Sequence, residues 1–123
     1  EDQLTGAIIA AAIEVHKELG PGLLESIYQK SMEIELRRRG IQFVAQLDVP
    51  VMYKQEPLDV SLRLDLVVEG RVIVEIKSVE KLLPVHKAQL ITYLKLHKVP
   101  TGLLINFNQA YLVDGVKRVA MTL

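Results

Sequence analysis

Apolar residues recur every three or four positions over two stretches at the start of the chain. Residues 5–19 have this spacing, with Thr5 available as an N-cap and a Gly-Pro-Gly stop after Leu19, which predicts an amphipathic helix. A second helix is predicted from about Leu23 to Arg39, where Gly40 ends it. Its expected apolar positions are Leu24, Ile27, Met32, Ile34 and Leu36.

From Gln42 onward the apolar period changes to two, which is typical of strands. Pro50 lies within the first strand-like run and predicts an edge strand or a bulge. A third amphipathic helix is predicted from about residue 82 or 84 to His97, followed by strands at 101–107 and near 116–121. The expected order is α, α, three strands, α, two strands, an α/β fold in which residues 1–123 form a single domain.

The two strand-like runs around Gly70 have a register that the apolar pattern determines. One apolar face consists of Leu62, Leu64, Leu66 and Val68, and its partner consists of Val72, Val74 and Ile76. These sets share a face of an antiparallel pair only if the loop has an odd number of residues, such as three around Gly70. The same register brings together, on the other face, Arg63, Asp65, Val67, Ile73, Glu75 and Lys77.

Composition excludes several classes of protein. The chain has 123 residues, half of them apolar, and no cysteine, which excludes disulfide scaffolds, thiolate nucleophiles and cysteine-ligated metals. Fifteen basic and fifteen acidic residues leave a net charge of zero, so the strong positive charge of many nucleic-acid binders is absent. With no spanning apolar run and no basic leader, we expect a cytoplasmic protein that does not enter a membrane.

The polar side of the predicted hairpin has the residue types of a divalent-cation site. Magnesium prefers oxygen ligands, and Asp65, Glu75 and the main-chain carbonyl of Ile76 offer three. Lys77 would lie on the same side and would position an attacking water or stabilise charge on a phosphoryl group. The alternative is an exposed cross-strand ion pair between Asp65 and Lys77 with no catalytic role.

Two helices add polar residues to the candidate site. His86, Gln89 and Tyr93 follow one another at helical spacing on the third helix, where a structural role in the core or in solvent is the alternative. Glu25 and Tyr28, three residues apart, open the second helix, and capping alone would also explain Glu25.

Taken together, these residues resemble a known family. The segment GPGLLESIY, with Gly22, Glu25 and Tyr28, is similar to the motif of the GxxExxY proteins, a small bacterial group in the PD-(D/E)XK nuclease superfamily. Asp65 with Glu75-Ile76-Lys77 resembles the core motif of that superfamily, and Gln89 with Tyr93 resembles its QxxxY element. Leu64 stands where the nominal motif has proline.

The resemblance implies a restriction-endonuclease-like core of α, three mostly antiparallel strands, α and strand, with an extra N-terminal helix. It also implies cleavage of nucleic acid, DNA rather than RNA, with Mg²⁺ or Mn²⁺. By position, Asp65, Glu75 and the Ile76 carbonyl would hold the metal. Catalytic or positioning roles fall to Lys77, Glu25, Gln89 and Tyr93, and substrate contacts to His86 and Tyr28.

Two other functions remain open at this point. One is a non-catalytic binding or regulatory module that keeps the nuclease fold, and the other is a phosphohydrolase of small nucleotides. Metal binding and nucleic-acid cleavage discriminate among them. A neutral chain of this size offers little surface to grip a duplex, so we expect a homodimer or a larger protein partner.

Overall fold

The computed structural model describes residues 2–121, which form three α-helices, one 3₁₀ turn and a five-stranded sheet. The elements are α1 (Asp2–Leu19), α2 (Glu25–Arg38), β1 (Phe43–Tyr53), β2 (Glu56–Val68), β3 (Val72–Lys77), α3 (Pro84–His97), β4 (Thr101–Asn106), the 3₁₀ turn (Leu112–Gly115) and β5 (Val116–Ala120). The predicted order of elements is confirmed, and the fold is restriction-endonuclease-like.

The sheet is mixed and is covered on both faces. Its strand order is β1-β2-β3-β4-β5, in which only β3 and β4 are parallel, joined by the crossover through α3. One apolar cluster packs α1 and α2 against the sheet, and a second packs α3 against the opposite face. Packing from both sides explains why every residue of β4 is buried.

The predicted register of the β2–β3 hairpin is confirmed. Leu66 pairs with Val74 and Val68 with Val72, which leaves a three-residue loop at 69–71. Glu69 and Gly70 both have positive φ in that loop, at 51° and 66°. The predicted common face also holds for Leu66 and Val68, which pack with β3 in the cluster beneath α1 and α2.

Leu64 is an exception that reveals a switch of faces. It packs in the α3 cluster, although Leu66, two residues on, packs in the other. On the paired strand, Ala45 and Leu47 are divided between the two clusters in the same way. Side chains two apart on a strand normally share a face, so both strands rotate at this level. The rotation falls at Gln46, where φ is 53°, and at Asp65 across from it.

Two helical predictions are corrected. α1 begins at Asp2, so Thr5 lies inside the helix, buried, and is not its N-cap. The buried face of α2 includes Tyr28 and Gln29, whereas the following predicted apolar positions are exposed: Leu24, Ile27 and Ile34. Gln29 can be buried because its amide nitrogen is hydrogen bonded inside the protein.

The outer strand of the sheet carries Pro50, as predicted. β1 is an edge strand, and its register with β2 shifts between Pro50 and Met52, so the expected edge and bulge are both found. None of the helices within residues 2–121 combines the length and the apolar character needed to cross a membrane.

Candidate active site

The candidate site lies where β2 separates from β3. Regular pairing of the two strands ends at Leu66 and Val74. Beyond that point the backbone N–H of Asp65 donates to Oε2 of Glu75 at 3.0 Å, and the N–H of Ile76 donates to Oδ2 of Asp65 at 2.8 Å. Side-chain carboxylates thus replace backbone carbonyls as acceptors, and both acidic groups are held in the gap between the strands.

Burial and mutual repulsion change the acidity of both carboxyl groups. Burial raises the pKa of Glu75 from 4.5 to about 8, aided by the Asp65 charge and opposed by the Asp65 N–H and by Lys77. The pKa of Asp65 is also raised, mainly by burial, while the Ile76 N–H and Lys77 lower it. Ionising both carboxyl groups together is therefore unfavourable in this site, even with Lys77 beside them.

Glu25 reaches the site from the first residue of α2. Its Oε2 accepts a hydrogen bond from the Ser78 N–H at 3.3 Å, and its charge raises the pKa of both Asp65 and Glu75. The Ser78 hydroxyl donates to the Leu23 carbonyl at 2.6 Å, which ties the start of α2 to the chain just after Lys77. The structure therefore brings together Glu25, Asp65, Glu75 and Lys77, as the sequence predicted.

Asn106, at the end of β4, is a positioning residue that the sequence analysis missed. It is fully buried, and its amide exchanges two hydrogen bonds with Val79, donating to the carbonyl at 2.9 Å and accepting from the N–H at 3.0 Å. The Phe107 N–H donates to the Lys77 carbonyl at 2.9 Å. These bonds fix the chain that carries Lys77 and Ser78. A lone polar residue ending an apolar strand was the available signal.

The polar residues of α3 divide into two groups. Tyr93 is half-buried, and its pKa is raised by burial and then by the charges of Glu75 and Asp65, while a hydrogen bond from Gln89 lowers it. Gln89 and Tyr93 thus lie together within the field of the two carboxylates. His86 is at the start of the helix, where its Nδ1 accepts a hydrogen bond from the Leu83 N–H at 2.9 Å. That bond caps α3, and a substrate contact by His86 stays a prediction.

Tyr28 has a structural role, so its predicted substrate contact is corrected. The side chain is fully buried, and its ring stacks on Phe107 with centroids 4.5 Å apart. The hydroxyl donates to the Gly20 carbonyl and accepts from the Leu23 N–H. Tyr28 thereby holds the turn that precedes Glu25 and has no surface left for a ligand.

A cavity of about 510 Å³ opens beside the carboxylates, between α2 and β2. Its lining includes Glu25, Gln29, Asp65 and Ile76, together with the cations Lys30 and Arg63. Gln29, which the sequence analysis also missed, is buried there and donates from Nε2 to the Asp65 carbonyl at 2.9 Å. The cavity gives solvent and small ligands access to the Asp65 side of the site.

The donor set fits a hard divalent cation. Asp65 and Glu75 each engage one carboxylate oxygen with a backbone N–H, and the second oxygen of each has no hydrogen-bond donor among residues 2–121. Within the same residues, no three His, Cys, Asp or Glu side chains are already arranged around one metal position. Excess carboxylate charge with free oxygens is the chemistry that Mg²⁺ or Mn²⁺ satisfies.

Comparison with known proteins gives one family. The family model described as the PD-(D/E)XK nuclease superfamily matches residues 2–119, which is almost the whole chain. Searches of curated proteins and of solved structures gave no significant match. The matched range includes every element of the site, from Glu25 on α2 to Tyr93 on α3. The chain therefore belongs to the PD-(D/E)XK nuclease superfamily.

Proposed function

We propose that this protein is a divalent-metal-dependent nuclease of the GxxExxY group that hydrolyses phosphodiester bonds in DNA. Its superfamily supports a nuclease-type function with a nucleic-acid substrate. The observation that carries the proposal is the pairing of Asp65 and Glu75, two carboxylates bonded to each other's strands with Lys77 and Glu25 in electrostatic range.

Asp65, Glu75 and the main-chain carbonyl of Ile76 would hold Mg²⁺ or Mn²⁺, with Glu25 as the acidic group on α2. When bound, the cation polarises a phosphoryl oxygen and lowers the pKa of a water molecule. The raised pKa of Glu75 supports this role, because a bound cation would compensate the negative charge that burial and Asp65 make unfavourable.

Lys77 supplies the positive charge that the chain itself offers to the reacting phosphate. Its ammonium group is near enough to Asp65 and Glu75 to lower the pKa of each. A phosphate held at these carboxylates by a metal ion would therefore lie close to the Lys77 ammonium group. A fixed cation there stabilises the negative charge that develops on a phosphoryl oxygen during attack. Asn106 and Ser78 keep the Lys77 segment in place.

Gln89 and Tyr93 would position the substrate from the α3 side, and His86 would contact the flanking backbone. Because the chain has no net charge and its site is acidic, phosphate groups are repelled until a cation binds. Metal is therefore required for substrate binding as well as for cleavage. A second copy of the chain or a larger protein partner would supply the additional contact surface needed to bind DNA.

A cleavage assay over several nucleic acids tests this proposal. Single-stranded DNA, blunt duplex, duplex with overhangs and RNA, each end-labelled, are incubated with protein in Mg²⁺, in Mn²⁺ or in EDTA. We expect DNA cleavage in the presence of either metal and none in EDTA. End-label patterns then separate cutting from the ends and cutting within the strand.

Two site variants and one surface variant serve as controls. Asp65→Asn and Glu75→Gln, purified in parallel, should show no cleavage. Asp59→Asn changes the same functional group on the exposed β1–β2 hairpin, where φ is 57°, a conformation that asparagine also tolerates, and should cleave normally. Equal activity of all three variants would identify a contaminating nuclease, and no cleavage of any substrate by the wild-type protein would favour the non-catalytic module.

A further inference from the structure

Within residues 2–121, one buried side-chain atom that should accept a hydrogen bond has no partner, and it is Oε1 of Gln29. The residue is only 8% exposed and lines the cavity next to Glu25 and Asp65. An unpaired buried carbonyl costs about 1–3 kcal/mol, so proteins retain few of them without a reason.

The orientation of this amide is set by its neighbours. Nε2 donates to Oε2 of Glu33 at 3.0 Å and to the main-chain carbonyl of Asp65 at 2.9 Å. Both partners are acceptors, so a flipped amide would place its oxygen against two other oxygens. The nitrogen must therefore face Glu33 and Asp65, and the oxygen must face away from them.

The cavity that Gln29 lines is rich in carboxylate oxygens, and the cations Lys30 and Arg63 line it without a hydrogen bond to Gln29 Oε1. Glu25 precedes Gln29 by one helical turn and lines the same cavity. The main-chain carbonyl of Asp65 accepts a hydrogen bond from the Gln29 nitrogen, which keeps Asp65 next to this amide, and the Asp65 side chain lines the same cavity. An amide oxygen adds a ligand to such a site without adding negative charge to a place where carboxylates are already crowded.

We propose that Gln29 Oε1 is a direct ligand of the divalent cation, alongside Asp65 and Glu25. The inference rests on the proposed metal dependence and extends it to a residue on the second helix. α2 would then contribute two oxygens to the metal, from positions one turn apart, and metal binding would satisfy the unpaired carbonyl. The metal-free protein would hold this ligand ready through the Glu33 and Asp65 bonds.

The side-chain amide of Gln29 reports this contact directly by nuclear magnetic resonance. The Gln29 carbonyl and amide signals, assigned by their loss in Gln29→Met, are followed while Mg²⁺ is added to wild-type protein without DNA. We expect them to move with the same midpoint as the backbone amide of Asp65. A signal that stays still with Mg²⁺, or that moves only when DNA is added without metal, overturns the inference.

Mn²⁺ titration calorimetry of two variants separates ligation from support of the fold. Gln29→Met removes the oxygen and the nitrogen contacts without changing charge. Gln29→Lys keeps a donor for Glu33 and Asp65 but removes the oxygen, and because it also adds a positive charge, its loss of affinity supports ligation only where the neutral Gln29→Met variant loses affinity as well. We expect each to weaken Mn²⁺ binding by roughly tenfold or more while still unfolding cooperatively. Gln3→Met, at an exposed position of α1 that does not line the cavity, is the matched control and should bind normally.

The outcomes distinguish this inference from the proposed function. Normal Mn²⁺ affinity in both Gln29 variants would overturn the ligand role and leave the nuclease proposal standing. Failure of the wild-type protein to bind Mg²⁺ or Mn²⁺ at all would instead contradict the proposed metal dependence.

Discussion

Asp65 and Glu75 each accept a hydrogen bond from the other's strand, so the two carboxylates that repel each other also set the spacing between β2 and β3. A backbone ladder at this level would have closed the gap. The protein instead uses two titratable groups as structural acceptors, and stability at this point of the sheet therefore depends on pH.

The first prediction concerns stability without metal. The folded-state pKa of Glu75 is raised from 4.5 to about 8, so between these values the folded state holds a proton that the unfolded state has lost. The contribution of Glu75 to the free energy of unfolding in EDTA should therefore be greatest below pH 4.5 and should fall as pH rises towards 8. Urea denaturation across this range measures the slope. It should flatten in Glu75→Gln and persist in Glu80→Gln, an exposed residue.

The second prediction concerns metal binding. Asp65→Asn and Glu75→Gln keep an oxygen that can accept the Ile76 or Asp65 N–H, so each should fold. Removing one of two repelling charges should leave metal-free stability unchanged or slightly higher, while Mn²⁺ binding is abolished. Calorimetric titration with Mn²⁺ tests this. Undiminished binding in both variants would place the metal elsewhere.

The third prediction separates catalysis from binding at Lys77. If its charge acts mainly in the transition state, Lys77→Ala should lower the single-turnover cleavage rate by about a hundredfold or more with little change in metal or DNA affinity. Rates at saturating DNA and salt-dependent binding are measured together. A normal saturated rate with weaker, less salt-sensitive binding would make Lys77 a phosphate contact instead.

The fourth prediction concerns Asn106. Asn106→Leu leaves the Val79 N–H without its acceptor and the Val79 carbonyl with only the longer bond from Asn108, and we expect a loss of about 2–4 kcal/mol in the free energy of unfolding. Asn108→Ala removes only one long hydrogen bond to the Val79 carbonyl, 3.3 Å, and should cost less than about 1 kcal/mol. Urea denaturation compares the two, and equal losses would contradict the role assigned to Asn106.

The fifth prediction tests the structural role of Tyr28. Tyr28→Phe keeps the stacked ring on Phe107 but loses the hydroxyl bonds to Gly20 and Leu23. Stability should fall by about 1–2 kcal/mol, with DNA affinity unchanged in the folded protein. Thermal unfolding and DNA binding are measured on the same preparation, and a selective loss of DNA affinity would restore a substrate contact.

Local pattern was sufficient for much of the fold and for the centre of the site. The alternation of Leu66 to Val68 and Val72 to Ile76 has only one register that buries both apolar sets, and that register brings Asp65 beside Glu75. The limits of α3 were predictable because proline begins it and polar residues end it.

The errors come from interactions between parts of the chain that are distant in sequence. Leu64 changes face because β1 and β2 rotate together at Gln46 and Asp65, which a period-two pattern in one strand cannot show. Gln29 is buried because Asp65, 36 residues away, accepts its amide proton. Asn106 is similar, since its partner Val79 lies 27 residues away, in the segment between β3 and α3.

The rotation at Gln46 and Asp65 has a mechanical consequence. β1 and β2 continue to pair as far as the turn at residues 54 and 55, whereas β2 and β3 stop pairing at Leu66. The outer part of the hairpin therefore extends beyond the rest of the sheet, and it is anchored at its base by Val49 and Leu64, which pack beneath α3. A force on the exposed tip, such as contact with a bound partner, would twist the base of the hairpin, where Asp65 lies. Movement of the hairpin tip would therefore be transmitted to Asp65, one of the carboxylates that line the cavity.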